Sequence, residues 1–389
     1  MPLPLYLLAV AVFAMGTSEF MLVGLLPDIA PDLGVTVGAA SALTSAYAAG
    51  MIVGAPLVAA LARDWPPRSS LLASVLVFAA AHVVGATTTA FPVLFATRIV
   101  AALANAGFLA VALTTAAALV APDRKGRALA VLLSGTTVAT IAGVPGGAAL
   151  GTMFGWRAAF WAVAALCLPA AVGILTGTPA RPARRDETAA PVLRAELALL
   201  ARPRLLTVML LGALVNAATF AGFTFLAPVV TGAAGLAGPW VPVALALFGA
   251  GSFAGVTVAG RLSDRRPRAV VAVGGPLLLT GWLALAVLAA EPAALLVLVF
   301  AQGALSFALG STLITRVLYE AAGAPAMAGS YATVALNVGA ATGPLVAAPT
   351  LGTAAGHRGP LWMSGLLVLV ALLVAFPVTV VRGRHRLPG

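Results

Sequence analysis

Two charges stand inside apolar runs, where charge is costly. Glu19 lies in Gly16-Thr17-Ser18-Glu19-Phe20, and Arg98 lies in Phe95-Ala96-Thr97-Arg98-Ile99-Val100-Ala101. An ionisable side chain in such a run must face protein or water and find a partner. A carboxyl group there can take up and release a proton, because burial favours the neutral acid and a nearby arginine favours the charged form. Counted back from Pro27 at 1.5 Å per residue, Glu19 lies roughly 12 Å below the end of its run, and Arg98, counted from Phe91, lies roughly 10 Å deep. Matching depth makes Glu19 a candidate proton site and Arg98 its electrostatic modulator. The alternatives are a structural Glu–Arg pair, or a glutamate that reaches the interface.

A second set of residues could shape a binding cavity. Asn105, Asn216, Gln302, Ser306 and Asn337 are polar side chains within apolar runs, and Tyr47, Phe220, Phe223 and Tyr331 could supply aromatic walls. A pocket for an uncharged amphiphile needs apolar walls with a few convergent polar groups. The competing role is interhelical hydrogen bonding, worth about 0.6 kcal/mol per bond. His82 reads as structural. Other chemistries find no support. The three histidines are far apart, Cys167 is the single cysteine, and Lys125, the single lysine, lacks the upstream glycines of a phosphate-binding loop. No metal site, disulfide or ATP site is expected, and no cofactor beyond protons as coupling ion.

The elements that must position these residues follow from composition. Of 389 residues, 61% are hydrophobic and 8% charged, with a mean hydropathy of +1.08. A soluble chain needs about 25% charged residues to cover its surface. Here the apolar residues form blocks of the length a helix needs to cross the hydrocarbon core, and lipid forces such blocks to be helical. The fold class expected is all-α integral membrane, with twelve spans near 4–26, 37–62, 69–88, 91–120, 128–151, 158–178, 205–230, 240–262, 269–290, 292–318, 325–352 and 359–381. With both termini in the cytoplasm, 19 of the 22 basic residues fall inside and only Arg157 and Arg358 outside, which sets the expected orientation. The formal charge of +11 is then a topology signal and calls for no nucleic acid. Residues 179–204 read as a cytoplasmic linker between six-helix halves 1–178 and 205–389, with Val192–Leu200 as a candidate surface helix.

The halves share a register. At an offset of 201, Pro27 matches Pro228, Gly34 matches Gly235, Gly50 matches Gly251, Gly54 matches Gly255 and Pro66 matches Pro267. Two repeats in the same orientation imply a pseudo-two-fold axis along the membrane normal, with the substrate site between the halves. Small residues recur at 135, 139, 143, 147 and 151. Such a stripe lets another helix approach closely, and Pro145 within it should kink its own helix.

These features resemble the major facilitator superfamily. Gly260-Arg261-Leu262-Ser263-Asp264-Arg265-Arg266-Pro267-Arg268 is similar to its cytoplasmic loop motif, with a degenerate copy at Ala59–Arg68 that carries Arg63, Asp64 and Arg68. The resemblance implies a latch between access states at Gly260, Asp264, Arg265 and Arg268; the alternative is a topology signal alone. Gly143, Pro145 and Gly147 resemble the antiporter motif of drug-exporting facilitators, with Val144 altering the Gly-Pro order. Arg98 resembles the arginine of another exporter motif, with Ala102 where glycine is usual. In this family the helices of Glu19 and Arg98 line the central cavity, and that of His82 is peripheral. More narrowly, MGTSEFMLVGLLPDIAPDLGV, ALANAGFLAVALTTAAALV, LVNAATFAGFTFLAPVV and GALSFALGSTLITRVLYEAAGAPAMAGSYATVALNVGAA are similar to actinobacterial chloramphenicol-resistance efflux proteins.

That resemblance implies proton-coupled drug export by alternating access, from a monomer in the cytoplasmic membrane with lipid around it. A facilitator exporting a sugar, an amino-acid derivative or an endogenous antibiotic is the alternative. A membrane enzyme would need clustered ligands or a nucleophile with its base. A passive channel would need neither Glu19 nor two related halves.

Overall fold

The computed structural model describes residues 2–61, 66–121, 124–177, 196, 198–263, 267–323 and 327–384. Among them are twelve helical segments long and apolar enough to cross a membrane: α1 (Leu3–Phe20), α2 (Val37–Val58), α3 (Pro67–Thr87), α4 (Phe91–Leu113), α5 (Val131–Phe154), α6 (Trp156–Gly177), α7 (Pro203–Thr224), α8 (Trp240–Ala259), α9 (Val270–Leu288), α10 (Pro292–Glu320), α11 (Ala328–Gly352) and α12 (Gly356–Ala375). The chain is an all-helical, multi-pass membrane protein. Twelve crossings bring both ends of the chain to one face, called the terminal face below. Each expected span is present, with ends moved by a few residues. In the first span the helix is interrupted at Met21 and continues as Leu22–Asp32.

The internal repeat is written into the backbone. Among the described residues four glycines have positive φ: Gly34 (65°), Gly155 (80°), Gly235 (64°) and Gly356 (51°). They form two pairs, each 201 residues apart, at the connections opposite the terminal face. Only glycine takes this conformation without steric cost, so each pair marks an equivalent turn. Helix packing repeats as well. A side-chain carbon at Gly50 would stand 2.8 Å from Ile99 O, and one at Gly251 would collide with Phe300 O, its mate at the same offset. These glycines set the close approach of α2 to α4 and of α8 to α10.

One buried apolar cluster lies wholly within residues 5–174, and a second is built almost entirely from residues 211–371. Two seams join the halves. Along α2 and α11, Ser45 Oγ donates to Ala341 O at 2.7 Å and Ser330 Oγ to Ala55 O at 3.4 Å. Along α5 and α8, Gly249 lies directly against the Thr140 carbonyl. Ala341 and Thr140 are repeat mates, so the seams are equivalent under the pseudo-two-fold.

Candidate functional site

The site grows from four consecutive residues at the end of α1, which a helix fans around its axis. Thr17 faces α5, where a side-chain carbon at Gly143 would collide with its hydroxyl. The small-residue stripe of α5 is what admits α1. Gly135 abuts the Ala9 and Phe13 backbone, Gly16 faces Ala139, Gly147 faces Met21 and Gly151 faces Leu25. Within this contact α5 carries one π turn, Ala139–Gly143, just before Pro145. Proline lacks the N–H that the preceding turn would use, and the wider turn absorbs the disruption.

Ser18 points the other way, into the first half. Its hydroxyl is 2.7 Å from His82 Nε2 on α3 and accepts from Arg98 Nη1 on α4 at 2.8 Å. Arg98 Nη2 donates to Ser18 O at 2.6 Å. That carbonyl lies in the last turn of α1, at the helix end that favours a cation. The Arg98 guanidinium also lies 4.6 Å from the centre of the Tyr47 ring on α2. Asn105 Nδ2 donates to Tyr47 Oη at 2.9 Å. Ser18, Tyr47, His82, Arg98 and Asn105 are all 2% exposed or less.

Glu19 is half-buried and, among the described residues, has no hydrogen bond or ion pair. Glu19 adjoins the Arg98 network through Ser18, the residue before it, and among the described residues the two charges form no salt bridge.

Phe20 faces the second half. It is 5.9 Å from Phe220, beginning a run of rings that continues through Phe223 (6.3 Å), Phe248 (4.4 Å, stacked) and Phe307 (6.2 Å). These five rings line a narrow cavity of about 10 Å³, room for little more than one water, between the halves. Thr140 and Val144 of α5 close it on one side, and Thr219, Leu245 and Ser252 on the other. Its hydroxyls are engaged within their own helices: Thr140 donates to Thr137 O, Thr219 to Val215 O and Ser252 to Gly249 O. The cavity therefore offers aromatic surface and few free donors, with Glu19 adjacent in sequence to its first ring.

Of the residues the sequence nominated, Phe220 and Phe223 line this cavity. Tyr47 and Asn105 belong to the Arg98 network. Asn216 donates to Leu336 O, joining α7 to α11, and Gln302 donates to Leu278 O, joining α10 to α9. Asn337 bonds Thr333 O within its own helix, and Ser306 Oγ is buried without a partner. Tyr331 lies toward the terminal face, where its hydroxyl donates to Glu196 O. Glu196 Oε2 in turn accepts from Met327 N–H at the start of α11. Arg68 opens α3 and is half-buried. Arg63, Asp64, Asp264 and Arg265 lie outside the described residues, as do the side chain of Arg268 and the surroundings of Gly260.

The sequence did not nominate Ser18, Phe20, Thr140, Phe248 or Phe307. The repeat held a signal for one of them, since Phe248 is the mate of Tyr47. Glu19 and Phe220, and Ser18 and Thr219, are mates too. One framework thus carries charge in the first half and aromatic surface in the second. At the face opposite the termini an open cleft of about 800 Å³ includes Asp28, Asp32 and Arg157. There Arg157 pairs with Asp32 at 2.6 Å and donates to Thr88 O at 3.1 Å, while partial burial pushes the Asp28 carboxyl up.

Comparison with known proteins adds the family. The Major Facilitator Superfamily model matches residues 8–344. A protein of Streptomyces lividans named chloramphenicol resistance protein is 78% identical over 97% of this chain and 96% of its own length. The inner membrane transport protein YdhP of Escherichia coli K12 is 32% identical over 96% of this chain and 95% of its own. Among solved structures, a bacterial homologue of the human lysosomal transporter Spinster, in an inward-facing and unoccupied conformation, superposes with a TM-score of 0.73. It covers 96% of this chain and 94% of its own at 16% identity, a likeness of fold alone. The chain belongs to the Major Facilitator Superfamily and is a membrane transporter, not an enzyme.

Proposed function

We propose that this transporter exports chloramphenicol or a related phenicol from the cytoplasm in exchange for protons, by alternating access. One observation carries the reading: Glu19, a carboxyl group without a hydrogen-bond or ion-pair partner among the described residues, adjoins the first ring of a phenylalanine-lined cavity between the halves. The name of the 78%-identical relative supports the choice of drug. A small neutral molecule with one aromatic ring suits walls of five phenylalanines, and the gap between them, nearly closed in this structure, opens to admit it during the cycle.

The cycle needs one titrating group. Open to the outside, the Glu19 carboxylate takes a proton and drug leaves. Open to the inside, drug entering beside Phe20 displaces that proton to the cytoplasm. Arg98 stabilises the carboxylate left behind. The basic bias of the sequence supports placing the terminal face in the cytoplasm. The working unit is a monomer in the cytoplasmic membrane, with lipid around it and no nucleic acid.

Export of a sugar is the weaker reading. A site for a polyol needs free hydrogen-bonding groups, and the cavity hydroxyls donate to their own helices. A resistance panel in a pump-deficient host tests the proposal. Protection against chloramphenicol, lost on adding an uncoupler, is expected. Protection that survives the uncoupler, or none at all, would overturn it.

A further inference from the structure

His82 sits outside the proton exchange just described, yet its ring is 1% exposed and bonded at both nitrogens. Those partners fix where its proton lies. Nδ1 is 2.8 Å from Phe78 O, and a carbonyl can only accept, so Nδ1 carries hydrogen. Arginine nitrogens can only donate, so Ser18 Oγ accepts from Arg98. The one hydroxyl hydrogen of Ser18 then goes to His82 Nε2, which must be unprotonated. A second cation on an oxygen already bound to Arg98 would add repulsion. The chain of donors runs in a single direction, from Arg98 to Ser18 to His82 to Phe78 O.

We infer that His82 is a positioning residue for the transport cycle: through Ser18 it holds the Arg98 guanidinium on the inner side of α1, away from Glu19. The inference rests on Glu19 being the proton site. With His82 accepting its hydrogen, the Ser18 hydroxyl presents lone pairs to Arg98. Without it, the hydroxyl hydrogen is free to turn toward the guanidinium, and the fork on Ser18 loosens. Arg98 can then swing about its long side chain toward the adjacent, partnerless carboxylate. A structural Glu–Arg pair forms, and proton exchange suffers. Of the titratable groups, Arg98 from α4 and Tyr47 from α2 act on Glu19, and His82 from α3 reaches it only through Ser18. α5 and α8 carry no titratable side chain, and on α6 Arg157 pairs with Asp32 while the Cys167 thiol donates to Val163 O.

The test uses the full chain in proteoliposomes, reading the pH profile of drug–proton exchange. Ser18→Ala and His82→Phe each break the chain, the first by removing one hydroxyl and the second by a ring of similar size. Both are expected to move the midpoint of the profile down by about one unit or more, the effect of an arginine drawn against a carboxylate. The double variant should match the single ones, because one chain is broken once. Ser18→Thr restores the hydroxyl and should restore the parent profile. Unchanged midpoints in Ser18→Ala and His82→Phe, or additive shifts in the double variant, would overturn the inference while leaving the proton site intact. If His82→Phe does not fold, Ser18→Ala against Ser18→Thr decides. Parent-like proton release by Glu19→Gln would overturn both the site and this inference.

Discussion

Arg98 meets Ser18 twice, at the carbonyl and at the hydroxyl, and leaves Glu19, the next residue along, without an ion pair. A single helical step of about 100° separates a locked side chain from a free one. The locked side belongs to the first half, and the free side adjoins the interface with the second. This division lets one short sequence hold a cation firmly and still keep a carboxyl group available.

The Arg98 fork makes two charge-assisted bonds while its plane rests on Tyr47. Lysine keeps the charge but cannot reproduce that planar fork. Losing one charge-assisted bond costs about 1.5–3 kcal/mol. Arg98→Lys should therefore slow efflux by about tenfold or more, and Arg98→Ala should slow it further. Efflux rates in inverted vesicles, normalised to protein, check this.

Phe223 and Phe248 stack at 4.4 Å on the cavity wall. Aromatic pairing contributes about 0.5–1.5 kcal/mol beyond burial. Phe223→Ala and Phe248→Ala should each weaken chloramphenicol binding by several-fold. The double variant should lose less than the product of the two, because each ring supports the other. Calorimetric titration of purified protein reads the difference.

The α5 glycines differ in what surrounds them, so their substitutions should differ. Alanine at Gly135 would collide with the Ala9 and Phe13 backbone, which cannot step aside, while Gly146 has open space. Overpacking costs about 1–3 kcal/mol. Gly135→Ala should lower the thermal midpoint by several degrees, and Gly146→Ala should leave it unchanged or raise it slightly. Melting in detergent separates the two.

Glu196 is 1% exposed and accepts from Met327 N–H, where α11 begins. Removing the carboxylate leaves a buried donor unpaired, at a cost of about 1–3 kcal/mol. Glu196→Gln keeps an acceptor oxygen and should be milder than Glu196→Ala. The ordering of the two melting temperatures checks this linker contact.

Much of the fold was legible because lipid leaves so few options. Apolar length fixed the twelve spans, and Gly34 with Gly235 revealed the repeat. The backbone angles add Gly155 with Gly356 at the same offset. The stripe at 135–151 predicted a close neighbour, and that neighbour is α1. The break at Met21 was not legible, since no proline or glycine occupies it. Nor was the direction of each side chain at residues 17–20, which depends on which helices surround α1. Tyr47 and Phe220 looked alike as candidate walls. One is sealed beneath Arg98, and the other lines the cavity. His82 looked structural because its helix was expected at the periphery. Its ring completes a hydrogen-bonded chain to Arg98.

The most direct measurement is drug-driven proton release by the purified protein, parent against Glu19→Gln. The parent should release protons on adding chloramphenicol. The variant should release none while still binding drug at the phenylalanine cavity. Equal release from both proteins would contradict Glu19 as the proton site.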